Sequence, residues 1–174
     1  MLKLSGTALA AAAVAGVSPA LANDDVVALV ANPGNVVMPS ITYNGWNYST
    51  LDQITLDNVA QLQVAWTWQI GILDSHEASP LVIGDTMYIV SPKPNYVYAL
   101  DLNTEGVIKW EFRPDMNVEE ATRQGCCGAQ TRGLNYAEGK IFFNTLDGQF
   151  FGLDATTGEA LWRTVGADLS IGET

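Results

Sequence analysis

Residues 132–164 read RGLNYAEGKIFFNTLDGQFFGLDATTGEALWRT, and this stretch decides the fold. Four short runs rich in apolar and aromatic residues alternate there with turn sequences: Arg132–Tyr136, Lys140–Thr145, Gln149–Asp154 and Glu159–Thr164. Each run has the length of a strand, and the glycine-containing pieces between them favour tight turns. The stretch therefore predicts four short strands joined by turns.

An earlier stretch, residues 79–112, repeats this pattern. It predicts strands at Ser79–Ile83, Thr86–Ser91, Tyr96–Asp101 and Val107–Phe112. Asp101 recurs as Asp154 and Trp110 as Trp162, which gives a period of 52–53 residues. Four short strands per repeat, with turns at matching places, are typical of propeller blades. We therefore expect an all-β fold, a β-propeller with blade-like repeats at residues 79–112 and 132–164.

Each blade of a propeller buries its faces only against its neighbours, so two blades do not close a ring. We expect the chain to be the N-terminal part of a larger propeller domain that begins at residue 23. The side chains of Trp66, Trp110 and Trp162 are expected to pack between blades rather than to form a cofactor cage. Asp101 and Asp154 are expected to cap turns.

The stretch before the first repeat has weaker patterns. Residues 23–40 mix Val and Ala with Asn, Pro and Gly and show no firm periodicity, so we expect a leader that wraps over a larger body. Asp57 and Asn58 lie near the start of Leu56–Leu62 and favour a short helix there. The β-branched and aromatic residues of Val64–Gln69 favour a strand.

The N-terminus, residues 1–22, resembles a secretory signal peptide. Lys3 gives it a positive start, residues 4–17 are an uncharged Ala-rich run, and Ala20-Leu21-Ala22 has the pattern of a cleavage site. The run is shorter than the roughly 20 apolar residues that span a bilayer, which argues against a membrane anchor. We expect cleavage after Ala22, export to the periplasm and no stable membrane insertion.

Charge narrows the range of partners. Removing residues 1–22 takes away Lys3 and leaves seven basic against nineteen acidic residues, a net charge of −12. Such a chain is a poor candidate for binding nucleic acid or anionic lipid, whereas a cationic protein would be steered toward it. With 48% hydrophobic residues, the chain has enough apolar material for a packed core.

Cys126 and Cys127, the two cysteines of the chain, are neighbours in the sequence. Their Cα atoms would lie about 3.8 Å apart across a trans peptide, below the range of about 4.4–6.8 Å usual for a disulfide. A disulfide between them would form a strained ring that closes almost no loop, and such strain is typical of ligand clamps and active sites. Free thiols, an intermolecular bridge and a metal site are the alternatives, although adjacent cysteines lack the CxxC spacing of zinc sites.

The cysteine pair lies in residues 113–131, which connect the outer strand of one repeat to the inner strand of the next. Such connections line one face of a propeller near its axis, so we expect the pair to face a central pocket. Glu77 and Arg132 should approach the same cavity, where an arginine suits a carboxylate ligand. The lone His76 is expected to be a structural hydrogen-bonding residue rather than a base.

Four motifs carry a family resemblance that spans nearly all of residues 36–174. They are Gln53-Ile54…Asn58-Val59…Leu62…Ala65-Trp66, His76-Glu77-x-x-Pro80, Cys126-Cys127 followed by Arg132-Gly133, and Gly152-x-Asp154-x-x-Thr157-Gly158-x-x-x-Trp162. Together they resemble the quinoprotein alcohol dehydrogenases, most closely the large subunits of periplasmic methanol dehydrogenases, including the lanthanide-dependent branch.

The resemblance implies an eight-bladed propeller that holds pyrroloquinoline quinone (PQQ), with a calcium or lanthanide ion beside it. Carried over residue by residue, Cys126 and Cys127 would form a disulfide lying flat against the quinone, Arg132 would bind its polar edge, and Glu77 would hydrogen-bond it. The family's catalytic base and metal ligands are expected downstream of residue 174, so no catalytic or metal residue is assigned.

The implied activity of the complete protein is oxidation of a small primary alcohol, methanol foremost, with electrons passed to a periplasmic cytochrome c. The chain alone is expected to be inactive, and a homodimer or a small-subunit partner is the implied assembly. Gly128 and Thr131 replace the Asp and Asn usual in the family, which bears on clade and substrate more than on cofactor. The alternative is a non-enzymatic secreted propeller that serves as a binding or assembly scaffold.

Overall fold

The computed structural model describes residues 23–124, 128 and 130–173, which form two small β-sheets preceded by an irregular leader. The strands are β1 (Leu81–Ile83), β2 (Thr86–Val90), β3 (Val97–Asp101), β4 (Val107–Phe112), β5 (Asn135–Ala137), β6 (Lys140–Asn144), β7 (Gln149–Asp154) and β8 (Ala160–Val165). The α-helices are α1 (Asp24–Val30) and α2 (Val118–Gln124), and single turns of 3-10 helix occur at Val59–Gln61, Leu102–Thr104 and Leu169–Ile171. Across these described ranges, no helix is long and apolar enough to cross a membrane.

Each sheet consists of four antiparallel strands in chain order, β1-β2-β3-β4 and β5-β6-β7-β8. Burial alternates along β2, as it does when successive side chains point to opposite faces of a sheet. Both sheets carry a register shift at the same place, between Ala99 and Leu100 in the first and between Gly152 and Leu153 in the second. The two sheets are therefore two copies of one unit, as the sequence repeat predicted.

One apolar core joins the two sheets. Its fully buried side chains include Leu81, Leu134, Ile141 and Leu153. Phe112 of β4 contacts the rings of Phe143 and Phe151 edge-on, at centroid distances of 6.1 and 5.3 Å. Because these rings come from both sheets, each sheet removes the other's apolar face from water.

A tryptophan links the outer strand of the first sheet to the last turn of the second. Trp110 is buried, its ring lies against Gly158, and its Nε1 donates to the Ala155 carbonyl at 3.0 Å. The Tyr88 hydroxyl donates to the same carbonyl at 3.1 Å, and burial raises the pKa of Tyr88 to about 12, so the hydroxyl stays protonated. The prediction that Trp110 packs between the repeats is confirmed.

The same contact occurs one step earlier in the chain. Trp66 is half-buried and lies against Gly106, which precedes β4 as Gly158 precedes β8. Trp162 lies instead against Gly152 of its own sheet and is 43% exposed. For Trp162, the expected contact between repeats is not found among the described residues.

Helix α1 attaches the leader to the second sheet. Asn23 caps the helix, with its Oδ1 accepting from the Asp25 amide at 3.0 Å, and its Nδ2 donates to Glu138 Oε1 at 3.1 Å. Asp25 Oδ2 in turn accepts from the Glu138 amide at 2.9 Å. Farther along the leader, Val36 forms an antiparallel bridge with Val82 of β1. The leader therefore contacts both sheets.

Two predictions about the leader were wrong. The helix expected at Leu56–Leu62 is reduced to the 3-10 turn Val59–Gln61, because most helical stability comes from packing an apolar face and Leu56 is 96% exposed. No strand forms at Val64–Gln69, which pairs with no neighbouring strand in the described chain. Helix α1 was not predicted, although its Asn cap and acidic first turn could have indicated it.

Candidate functional site

The two segments that precede the inner strands lie side by side. Strands β1 and β5 begin at Leu81 and Asn135, later than the predicted starts at Ser79 and Arg132. Ser79 and Gly133 form a parallel bridge between these segments, outside the two sheets. The bridge brings the residues that flank it, Glu77 and Arg132 among them, close to one another.

Glu77 and Arg132 form an ion pair at this junction. Arg132 Nη1 donates to Glu77 Oε2 at 2.8 Å. The Arg132 side chain is 88% exposed and the Glu77 side chain 46%, so most of the guanidinium remains open to solvent. An exposed ion pair contributes little to stability, typically about 0–1 kcal/mol. The pair is therefore accessible to a ligand, and its role toward a cofactor stays a prediction.

His76 has a structural hydrogen bond next to this pair. Its Nε2 lies 2.9 Å from the Val90 carbonyl oxygen at the end of β2. A carbonyl only accepts, so Nε2 carries the proton and donates. This contact agrees with the expectation that His76 is a hydrogen-bonding residue.

The connection between the sheets contains a helix, α2, that the sequence reasoning missed. Asn117 precedes it, and its Oδ1 accepts from the Glu120 amide at 3.1 Å, the usual geometry of an N-cap. Glu119 and Glu120 place acidic side chains in the first turn, where the helix dipole favours them. An Asn followed by acidic residues was the signal that could have revealed α2.

Cys126 and Cys127 lie outside the described residues. In the sequence, Gly125 separates them from α2, which ends at Gln124, and they precede Arg132 by six and five residues. Their oxidation state and their contact with a ligand stay predictions. In the part of the chain that the structure does describe, no group of three or more His, Cys, Asp or Glu is placed to hold a metal ion.

Comparison with known proteins gives the family. Residues 39–166 match the family model described as "Glucose/ethanol/alcohol dehydrogenase, beta-propeller domain", whose short name is PQQ. The chain belongs to this quinoprotein alcohol dehydrogenase family. The match covers both sheets and most of the leader, and it confirms the β-propeller fold and the family resemblance inferred from the motifs.

Individual members of the quinoprotein family are similar over nearly the whole chain. A lanthanide-dependent methanol dehydrogenase from Methylacidiphilum fumariolicum (strain SolV) is 46% identical over 98% of this chain and 28% of its own length. Subunit 1 of a methanol dehydrogenase (cytochrome c) from Paracoccus denitrificans is 42% identical over 93% of this chain and 26% of its own. The solved structure of a europium-containing methanol dehydrogenase matches with a TM-score of 0.82 and 46% identity, over 86% of this chain and 26% of that one. The chain thus spans about a quarter of the length of these relatives.

The donor set at the junction fits the kind of ligand that a quinoprotein holds. PQQ is a planar polycarboxylate, and the fork of an arginine binds a carboxylate through two parallel hydrogen bonds. Arg132 is held by Glu77 beside the Ser79–Gly133 bridge yet keeps most of its surface open. The described residues therefore offer one cationic and one anionic group to a ligand edge, and no metal cage.

Proposed function

We propose that this chain forms one wall of the PQQ site in a periplasmic alcohol dehydrogenase that oxidises a small primary alcohol, methanol foremost, to its aldehyde. The Glu77–Arg132 ion pair at the joined starts of the inner strands is the observation that carries the proposal. Family membership and the similarity to methanol dehydrogenases support the cofactor and the substrate class. Electrons would pass to a cytochrome c, and a homodimer or a small-subunit partner stays a prediction.

Each site residue has a distinct task in this proposal. Arg132 binds a carboxylate on the polar edge of the quinone and neutralises its charge. Glu77 orients the guanidinium through the 2.8 Å hydrogen bond and offers its second oxygen as an acceptor to the quinone. Cys126 and Cys127, joined as a disulfide, provide a flat apolar surface for one face of the ring.

The chemistry of the reaction belongs to the bound groups. PQQ supplies the two-electron redox chemistry, and a calcium or lanthanide ion beside it supplies Lewis acidity. This chain binds and orients the quinone edge and covers one of its faces, while the metal ligands and the base are expected elsewhere in the protein.

A quinone-binding experiment on the complete gene product tests the proposal. Replacing Arg132 by Ala removes at least one hydrogen bond to a charged group, typically worth about 1.5–3 kcal/mol, so we expect the Kd for PQQ to rise by no less than roughly 10- to 150-fold. Arg113→Ala is the matched control, because Arg113 is likewise exposed and paired with a glutamate, Glu111, but lies over the Tyr96 ring at the end of β4. We expect this control to bind PQQ as the wild type does.

An activity assay completes the test. The protein loaded with PQQ and either calcium or lanthanum should reduce an artificial dye when methanol is added. Absence of alcohol-dependent turnover with both metals, together with absence of quinone binding, would contradict the enzyme proposal and leave the scaffold alternative.

A further inference from the structure

Glu77 lies between two fixed points of the main chain. On its C-terminal side, Ala78 is 7% exposed and belongs to the apolar core that joins the sheets. Ser79 follows and is bridged to Gly133 of the second segment. On the N-terminal side, the neighbouring His76 is held by the hydrogen bond of its side chain. The origin of that bond shows what His76 does for Glu77.

The first sheet lacks one rung of its ladder at the end of β2. Strand β1 pairs with β2 only as far as Tyr88, two residues before β2 ends at Val90. By the same register Ser79 would lie opposite Val90, but Ser79 bridges to the second segment instead. On the β1 side, the described chain therefore offers Val90 no partner strand.

The carbonyl of Val90 faces this open side. The Ser91 amide donates to the Tyr96 carbonyl at 2.8 Å, on the β3 side of β2. Because the C=O and N–H of a trans peptide point in opposite directions, the Val90 carbonyl points toward β1. Val90 is 1% exposed, and a buried carbonyl is costly unless it accepts a hydrogen bond. His76 Nε2 donates that bond at 2.9 Å, in place of a strand.

The bond of His76 limits the freedom of Glu77. Glu77 directly follows His76, and Ser79 is bridged two residues later, so the main chain is held on both sides of Glu77. Its carboxylate is thereby kept within reach of Arg132, which donates to it at 2.8 Å. A ligand that binds an ordered pair loses less conformational freedom, and such preorganisation strengthens binding.

We propose that His76 is a positioning residue for quinone binding that acts through Glu77. By donating to the Val90 carbonyl, it fixes the main chain at Glu77 and so keeps Glu77 and Arg132 arranged for the edge of the quinone. This inference rests on the proposed function, because it takes the ion pair to be part of a quinone site. His76 is assigned no contact with the quinone.

Three variants of the complete gene product test this role. His76→Leu removes the donor, and a leucine suits the setting of the ring, which lines a cavity together with Trp68 and Ile89. His76→Gln keeps a donor, because the amide nitrogen of glutamine can take the place of Nε2. Asn58→Leu is the matched control, since Asn58 Nδ2 likewise donates to a backbone carbonyl, that of Gln53 at 2.8 Å, but both residues lie in the leader.

The Kd for PQQ is expected to change in the first variant alone. For His76→Leu we expect it to rise about three- to tenfold, the range of one ordinary hydrogen bond. His76→Gln and Asn58→Leu should stay within about twofold of wild type, less than one such bond. In a Glu77→Ala background, His76→Leu should change the Kd by less than about twofold, because residues that act through one another are not additive. A purely structural role would leave the effect of His76→Leu undiminished in that background.

Three results would overturn the inference. They are an unchanged Kd in His76→Leu, an equal loss of affinity in His76→Gln or Asn58→Leu, and an undiminished effect of His76→Leu in the Glu77→Ala background. If His76→Leu does not fold, His76→Asn takes its place with the same expected results, because its shorter side chain does not reach the Val90 carbonyl.

Failure of the wild-type protein to bind PQQ is a different result, because it refutes the proposed function. Amide hydrogen exchange of residues 77–82 in the quinone-free protein then still tests the anchor. We expect His76→Leu to raise that exchange about threefold or more, the size of one ordinary hydrogen bond, and Asn58→Leu to leave it unchanged. Unchanged exchange in His76→Leu would show that His76 does not fix this segment.

Discussion

Gly158→Ala is expected to destabilise the protein because Gly158 lies at the contact between the two sheets. A Cβ at residue 158 would lie 2.6 Å from Cδ2 and Cε3 of Trp110, and Gly158 has a φ of +76°. The Trp110 ring has little room to retreat, since it is buried and its Nε1 is bonded to the Ala155 carbonyl. The substitution therefore combines backbone strain with a steric clash.

Gly139→Ala provides the matched control for this substitution. Gly139 belongs to the same sheet and has a φ of +71°, but no atom would lie within 4 Å of an added Cβ. Left-handed backbone strain costs about 1–2 kcal/mol for a residue with a side chain, and overpacking adds about 1–3 kcal/mol. We expect Gly139→Ala to lower the free energy of unfolding by about 1–2 kcal/mol, from backbone strain alone. Gly158→Ala adds the cost of overpacking and should lower it by about 2–5 kcal/mol.

Equilibrium urea unfolding of the purified protein, followed by circular dichroism, measures both changes. Each Gly→Ala change also stabilises the protein by lowering the conformational entropy of the unfolded chain. This contribution is the same for both variants, so it cancels when their free energies of unfolding are compared. A Trp110→Leu background should remove most of the extra cost of Gly158→Ala, because the two sites are in contact and their effects are not additive. Equal stability of the two alanine variants would refute the proposed packing of Trp110 against Gly158.

Two further predictions concern buried polar groups. Tyr88→Phe removes a hydrogen bond to the Ala155 carbonyl, so it should lower the free energy of unfolding by about 0.5–1.5 kcal/mol in urea unfolding. An unchanged stability would mean that Trp110 alone satisfies this carbonyl. Burial would raise the pKa of the Asp147 carboxyl, but hydrogen bonds from Thr145, Asn117 and Gln149 lower it in the folded state. Asp147 therefore contributes its full stabilisation above the ordinary aspartate pKa of about 3.9 and loses it as the pH falls through the lowered folded value. Asp147→Asn should therefore flatten the acid limb of the stability profile below about pH 4 in urea titrations, and an acid limb identical to wild type would contradict this assignment.

The parts of the fold that could be predicted from sequence are those in which neighbouring residues decide the structure. The strands of the two sheets are short runs rich in apolar and aromatic residues between turn residues, and their observed bounds differ from the predicted ones by a few residues at most. Asp101 and Asp154 cap turns as expected, by accepting from the amides of Asn103 and of Thr156. Local chemistry is sufficient for such features.

The parts that were missed depend on tertiary contacts. Val64–Gln69 has the composition of a strand but finds no partner strand in the described chain, and composition cannot supply one. Asp147 and Gln149 look like ordinary turn residues in the sequence, and only the approach of the connection at Asn117 buries them. Glu77 and Arg132 were placed together through the blade geometry, although their ligand could be inferred only through the family resemblance.

The contacts of Trp66 and Trp110 run the same way along the chain, each from an earlier unit to a later one. Each contact joins a ring from one unit to a glycine turn in the next, so the interface is head-to-tail, and interfaces of that kind generate either rings or open filaments. In this chain the glycine turn at Gly106 is already covered by Trp66 from the leader. The leader thus supplies to the first sheet the tryptophan that the first sheet supplies to the second, so both sheets are covered at the same turn.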